Sequence, residues 1–260
     1  MFNLVRADFY KTTKSKMFWI LLTLTTACAV AMFSIAYGIG NNSLSESMSS
    51  VGFLLSDMNM LTIIGAVLAT SLVCSDFETK NIHHPIISGY SRMQIVGSKA
   101  LVFWLLLIVL AGPFIIATFI GLTMDSTFSM GGSAAGYLSI LTSSTGGNSD
   151  KYVVMLTIMT IIHLAQLTVC LLLAFALRKS VLVVAVYYMM SMFFGQIASF
   201  QATFEGMNKL LSFTPYAAEY ITMNLGMSAA DIMVATMTGI SFMIVVVLLT
   251  FMVFRKAEIK

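Results

Sequence analysis

Six times in 260 residues the sequence runs for about 20 residues on apolar side chains, the length that crosses a bilayer core of about 30 Å. The runs cover 17–39, 51–74, 100–122, 152–177, 181–199 and 231–254. In lipid, each backbone N–H and C=O must find its partner inside its own segment or in a closed barrel. Runs this long and this uniformly apolar fit helices and not barrel strands. Composition agrees: 58% of residues are hydrophobic and 10% charged, against about 25% charged in soluble domains. The expected fold is an all-α integral membrane protein, one transmembrane domain over 1–260 with six spanning helices. Nothing points to a soluble domain, an internal repeat or nucleic-acid binding.

Cys28, Cys74 and Cys170 fall in or beside the apolar runs. Their odd number and the lack of CxxC spacing argue against a disulfide framework or metal site, leaving buried apolar thiols.

Before the first run, Phe2, Val5 and Phe9 recur at helical spacing among Arg6, Lys11, Lys14 and Lys16. That pattern predicts an amphipathic helix lying on an anionic membrane surface. The first run is too long for the apolar part of a signal peptide and lacks a small-residue cleavage site, so the N-terminus reads as retained. Asp57 and Asn59 stand near the outer end of the second run, and Gly112-Pro113 should kink the third. Only Arg178-Lys179-Ser180 separate the fourth run from the fifth, which forces an antiparallel hairpin. Phe204, Met207, Leu210 and Leu211, followed by Pro215, predict a short helix dipping into the interface. Ser228-x-x-Asp231 predicts a cap on the sixth helix.

Six spans put both termini on one side. Twelve of the fourteen Lys and Arg then share that side, with only Lys151 and Lys209 opposite. Seven of the eleven acidic residues, Glu46, Asp57, Asp125, Asp150, Glu205, Glu219 and Asp231, lie on the other. By the positive-inside rule the termini, the 76–99 loop and the 178–180 turn are expected in the cytoplasm.

No HExxH, GxSxG or GxxxxGK[ST] motif is present, and no catalytic, cofactor or metal residue is assigned. His83 and His84 are neighbours, so on a helix they point about 100° apart and do not share a face. His163 and Gln166 share a helix face at i, i+3, and Gln196 is expected to join them across the hairpin. They read either as interhelical hydrogen bonding or as a polar patch on a substrate path. Methionine is frequent, 21 residues, and flexible apolar side chains suit varied apolar partners as well as generic helix filling. Met189, Met190 and Phe193 mark the place to look for a hydrophobic substrate surface.

The loop from Asp76 to Lys99 is the longest largely basic polar interval in the first half of the chain. Ser88-Gly89 supplies a helix stop, and Ser91 with Gln94 reads as a capping box. A short helix over about 78–87, a break, and a restart running into the third span are expected. With Ile82, Ile86 and Ile87 beside its charges, that helix could dock on a soluble partner or be an ordinary connector.

The order of these features resembles the permease subunit of ABC-2-type ABC transporters across essentially the whole chain. The carriers are the N-terminal helix, the six spans, Asp76-Phe77-Glu78-Thr79-Lys80-Asn81-Ile82, Tyr90-Ser91-Arg92, Lys99, the Leu177–Ser180 turn and the Pro215 segment. Two departures are a missing glycine before Thr79 and the inserted His83-His84-Pro85. The resemblance implies a bacterial plasma-membrane exporter subunit acting with a cytoplasmic ATPase, which would bind ATP and magnesium, and with a second permease, identical or paralogous. It also implies ATPase coupling through Glu78, Thr79, Lys80, Ile82, Ile86, Ile87 and Arg92. Compact permeases of this kind handle lantibiotics, bacitracin-like peptides or amphipathic cytolytic peptides. The competing expectations are an intramembrane enzyme using His83, His84 or His163, an exporter of small hydrophobic compounds or ions, and an ion-driven transporter, which would need charges at mid-span.

Overall fold

A computed structural model describes residues 2–124, 126–130, 134–143, 149–200 (backbone only for 198–200) and 211–256. Among these there is no strand, and six helical stretches are long and apolar enough to cross a membrane. They follow a first helix, α1 (Phe2–Thr13). The spans are α2 (Lys16–Gly40); a broken helix of α3 (Ser49–Leu54) and α4 (Asp57–Ala69), which continues through a π-helical turn (Thr70–Cys74) into α5 (Ser75–Glu78); α7 (Arg92–Thr123); α9 (Ser149–Leu177); α10 (Ser180–Phe200); and α12 (Ala229–Lys256). Between them lie α6 (His83–Ile87), α8 (Tyr137–Thr142) and α11 (Ala218–Ile221). The short helix expected on Phe204, Met207 and Leu210 lies outside the described residues, as do Asp125, Glu205, Lys209 and Lys260.

The helix starts follow local side-chain chemistry. Ser91 Oγ accepts the N–H of Gln94, whose side chain accepts the N–H of Ser91, so α7 opens on the expected capping box. Ser228 and Asp231 make the same reciprocal pair at α12. The hairpin between α9 and α10 turns on Arg178, whose φ of 56° is left-handed, a single-residue reversal.

Helix α9 is the axis of the bundle. It packs against α4, α7, α10 and α12, and most of its side chains are buried. Helix α12 lies on it through one stripe, Ala235, Gly239, Val246, Thr250 and Phe254, and leaves the rest of its apolar surface outward. Helix α10 is likewise mostly outward-facing. An apolar exterior is what lipid requires, since hydrocarbon solvates such side chains as well as a core does.

At the α6 end of the bundle three spans converge on aromatic rings. Phe77, Phe175 and Phe254 meet edge to face with centroids 5.1–6.2 Å apart, and the Arg178 guanidinium lies 5.1 Å from the Phe77 ring centre. Phe254 is fully buried there, whereas Phe213 is 80% exposed. Phe254→Ala should therefore lower stability by about 3–5 kcal/mol, and Phe213→Ala by less than about 0.5 kcal/mol, in thermal unfolding of the detergent-solubilised chain.

Candidate functional site

The stretch from Asp76 to Lys99 is a clasped loop. Lys99 Nζ sits 2.8 Å from Asp8 Oδ1 and 2.5 Å from Asp76 Oδ2, and Lys11 Nζ reaches the other Asp76 oxygen at 2.5 Å. Lys99, Asp8 and Asp76 are all buried, and an isolated charge there would cost several kcal/mol, so the three hold one another in place. The last turn of the second span is thereby tied to the first turns of α7, and both to α1.

This pairing changes the reading of α1. The stripe docked on the bundle is Leu4, Asp8 and Thr12, at i, i+4 and i+8, while Phe2, Phe9 and Tyr10 point outward. Of the apolar residues spaced along the sequence, Phe2 and Phe9 turn away from the protein, while Val5 is half-buried against its core.

The loop helix is also shorter than expected. The second span runs on as helix to Glu78, so Asp76 and Phe77 belong to the bundle, and the expected helix over 78–87 is reduced to His83–Ile87. Lys80, at φ 57°, closes the preceding helix in the left-handed position where glycine is favoured. Pro85 takes part in α6 without breaking it because it lies within the first turn, where its missing N–H has no partner to lose. Helix α6 then stops in a Schellman pattern, with Gly89 (φ 82°) N–H on Ile86 O and Tyr90 N–H on Pro85 O, both at 3.0 Å.

Of the residues assigned to coupling, Glu78, Thr79, Lys80 and Ile87 are exposed, Ile87 by 82%. Ile86 is half-buried. Ile82 is 2% exposed, which makes it an anchor of the loop in the bundle and not a contact surface. Arg92 points back onto the bundle: its Nη1 donates to the carbonyls of Phe254 and Arg255, both at 2.8 Å, satisfying the C-terminal end of α12. Glu78 Oε1 accepts from Ser180 Oγ at 3.3 Å, which joins the loop to the hairpin turn. A cleft of about 260 Å³ lies between α1, the loop and α7, with Asp8, Asn81, His84 and Lys99 on its walls.

The residues assigned to a substrate path separate into two groups. Gln166 is structural: its side-chain amide donates to Pro215 O at 2.8 Å, and its own carbonyl accepts the hydroxyls of Tyr187 (3.1 Å) and Tyr216 (3.2 Å). Burial pushes the Tyr216 phenol well above its ordinary pKa, so it serves as a neutral donor. Gln196 does not join this network. It is exposed and stands about 13 Å farther along α10 than Tyr187. Met189 (72% exposed) and Phe193 (63%) face outward on the same helix, with Met190 half-buried.

His163 turns instead to Asp57, with Nε2 2.9 Å from Oδ2. The contact is close but not aligned as a hydrogen bond, and Nε2 remains among the buried polar atoms without a hydrogen-bond partner. It places an ionisable pair well inside the bundle, although the sequence puts Asp57 near the outer end of its run. His163 is about 21 Å along α9 from Leu177, while His83 and His84 lie on α6, so the three histidines are not gathered. Among the described residues no three His, Cys, Asp or Glu side chains group as a metal site.

Sequence reasoning missed the pairing of Asp8, Asp76 and Lys99, and that of Asp57 with His163. The first was signalled by opposite charges on the inner margins of two successive spans, and the second by a lone carboxylate within an apolar run. No protein-family model and no curated protein matches the chain.

Lys99→Met should destabilise the chain by about 3–5 kcal/mol, because it leaves the buried Asp8 unpaired and Asp76 with only the half-exposed Lys11. Lys11 is half in solvent, and Lys11→Met should cost less than about 1 kcal/mol. Denaturant titration in detergent, followed by tryptophan fluorescence, checks both.

Proposed function

We propose that this chain is the non-catalytic, membrane-spanning subunit of an ATP-driven exporter of the ABC-2 type, working with a separate cytoplasmic ATPase. One observation carries the reading: a short helix between two spans is held out from the bundle and clasped to it at both ends. Ile87 is 82% exposed at its tip, Ile82 is inserted at its base, and Asp76 and Lys99 join across its ends. An exposed isoleucine at the tip of a helix held rigidly at its base fits a helix that docks into a groove of a partner.

The mechanism follows from rigidity. ATP closure of the ATPase displaces α6. Ile82 and the Asp76–Lys99 pair carry that displacement into the second and third spans, and Glu78 with Ser180 carries it into the α9–α10 hairpin. Arg92 on the α12 carbonyls brings the last span along. The basic bias of this end supports a cytoplasmic side for it and for both termini. The export reading takes the membrane as a bacterial plasma membrane, and α1 meets the inner leaflet through Phe2, Phe9 and Tyr10. The outward apolar surfaces of α10 and α12 fit lipid and a second permease. Met189, Met190 and Phe193 supply the adaptable apolar surface that an amphipathic peptide would slide along.

Reconstitution of the chain with the ATPase encoded beside its gene tests the reading. Binding with stimulated ATP hydrolysis is expected. The paired charge reversal Glu78→Lys and Lys80→Glu should leave the fold intact and cut stimulation at least about tenfold, a loss of about 1.4 kcal/mol of coupling. Absence of binding by the unaltered chain contradicts the assignment.

A further inference from the structure

The Asp57–His163 contact is not used by the export reading, and its hydrogens do not balance without an added proton. His163 Nδ1 lies 2.8 Å from the carbonyl oxygen of Met159, one turn back on α9. A carbonyl oxygen only accepts, so Nδ1 carries a hydrogen and donates it. Nε2 then faces Asp57 Oδ2 at 2.9 Å, and the same oxygen already accepts the Tyr137 N–H at 3.1 Å. A neutral imidazole would leave an unprotonated ring nitrogen 2.9 Å from an ionised carboxylate oxygen, two electron-rich atoms with nothing between them, in a site where Asp57 is 0% and His163 4% exposed. One proton removes the conflict, on Nε2 as an imidazolium or on the carboxyl group as a donor to Nε2.

The surroundings favour that proton. The Tyr137 ring stacks on the imidazole, with centroids 5.1 Å apart and planes 2° from parallel, and an aromatic face attracts a cation. Burial raises the Tyr137 phenol far above its ordinary pKa, so it stays neutral and shares a hydrogen bond with Thr160 Oγ1 at 2.8 Å. From α4 the site receives Asp57; from α8, Tyr137; from α9, His163 and Thr160. From the described residues ahead of α12 come backbone carbonyls, Ile221 O on Gly136 N–H and Met223 O on Ser139 Oγ. Tyr187 of α10 and Tyr216, ahead of α11, meet α9 at Gln166, and Cys170 lies one turn beyond it. Among the described residues His163 is the sole ion-pair partner of Asp57.

The position gives the proton leverage. Asp57 is the first residue after the break in the second span, and Tyr137 is the first of α8. Gly136 is required between them, because a Cβ there would fall 2.0 Å from Asp57 Oδ2. We propose that Asp57 and His163 form an intramembrane binding site for a single proton, which fastens α4 and α8 to α9. The proposal does not depend on the export reading. With the proton bound the contact attracts. As pH rises and the proton leaves, Nε2 and Oδ2 repel and the fastening loosens, so its stabilisation is present at low pH and lost at high pH.

Asp57→Asn takes the carboxylate out of the pair. Its amide oxygen can still accept the Tyr137 N–H, and no carboxylate remains to hold a proton together with Nε2. The melting temperature of the full chain in nanodiscs should fall, between about pH 5 and pH 9, by roughly 3 °C or more beyond any fall in Asp57→Asn. An equal fall in the two overturns the proposal. A second measurement does not need that variant to fold. In a His83→Asn, His84→Asn chain, His163 is the one histidine left of three, and its ¹⁵N spectrum reports both ring nitrogens. The expected result is a hydrogen on Nδ1 throughout and a proton at Nε2, bound or shared, that is lost as pH rises. A bare Nε2 at every pH overturns the assignment.

Discussion

A lysine buried between two aspartates near the margin of a membrane is stable only as a group, and the geometry of this protein's loop end depends on it. Lys99 comes from the third span, Asp76 from the second and Asp8 from the helix before the first. Removing any one leaves charge uncompensated in a poorly solvated place, so these elements keep a fixed relation. Around this centre the weaker contacts fall into place: the Phe77, Phe175 and Phe254 rings, Arg92 on the end of α12, and Glu78 on the hairpin turn. Helix α6, itself only His83–Ile87, gains its position from these neighbours and not from any helical stability of its own.

The two polar groups of the bundle stand at different depths. The clasp joins elements at the α6 end, and the Asp57–His163 contact joins α4, α8 and α9 some 20–30 Å away along the helices. Helix α9 and the broken second span take part in both regions. A displacement entering at α6 therefore meets a second buried fastening before it reaches the far side.

The legible parts of this fold were those set by local chemistry. Six helices followed from apolar run length, because a lipid environment admits no other spanning element of that kind. The capping boxes at Ser91 and Ser228 were readable because both partners lie within four residues. What depends on distant residues stayed hidden. Hydropathy averages over a window, so the break at Leu55–Ser56 vanished inside one apolar run and Asp57 read as an outer margin. In α1 the apolar spacing predicts a membrane-facing side but not the side that docks on the bundle, which carries Asp8 and Thr12 and depends on the distant partner Lys99. Likewise Ile82 and Ile87 are equivalent in composition, and burial alone tells the anchor from the tip.

The central claim is that α6 is the place where a cytoplasmic ATPase meets the membrane bundle. Photo-crosslinking in living cells tests it most directly, with one reactive side chain at Ile87 and, in a second chain, at Ile82. The account predicts an adduct with the ATPase encoded beside the gene from position 87 and none from position 82. No adduct from position 87, with the chain folded and inserted, would contradict it.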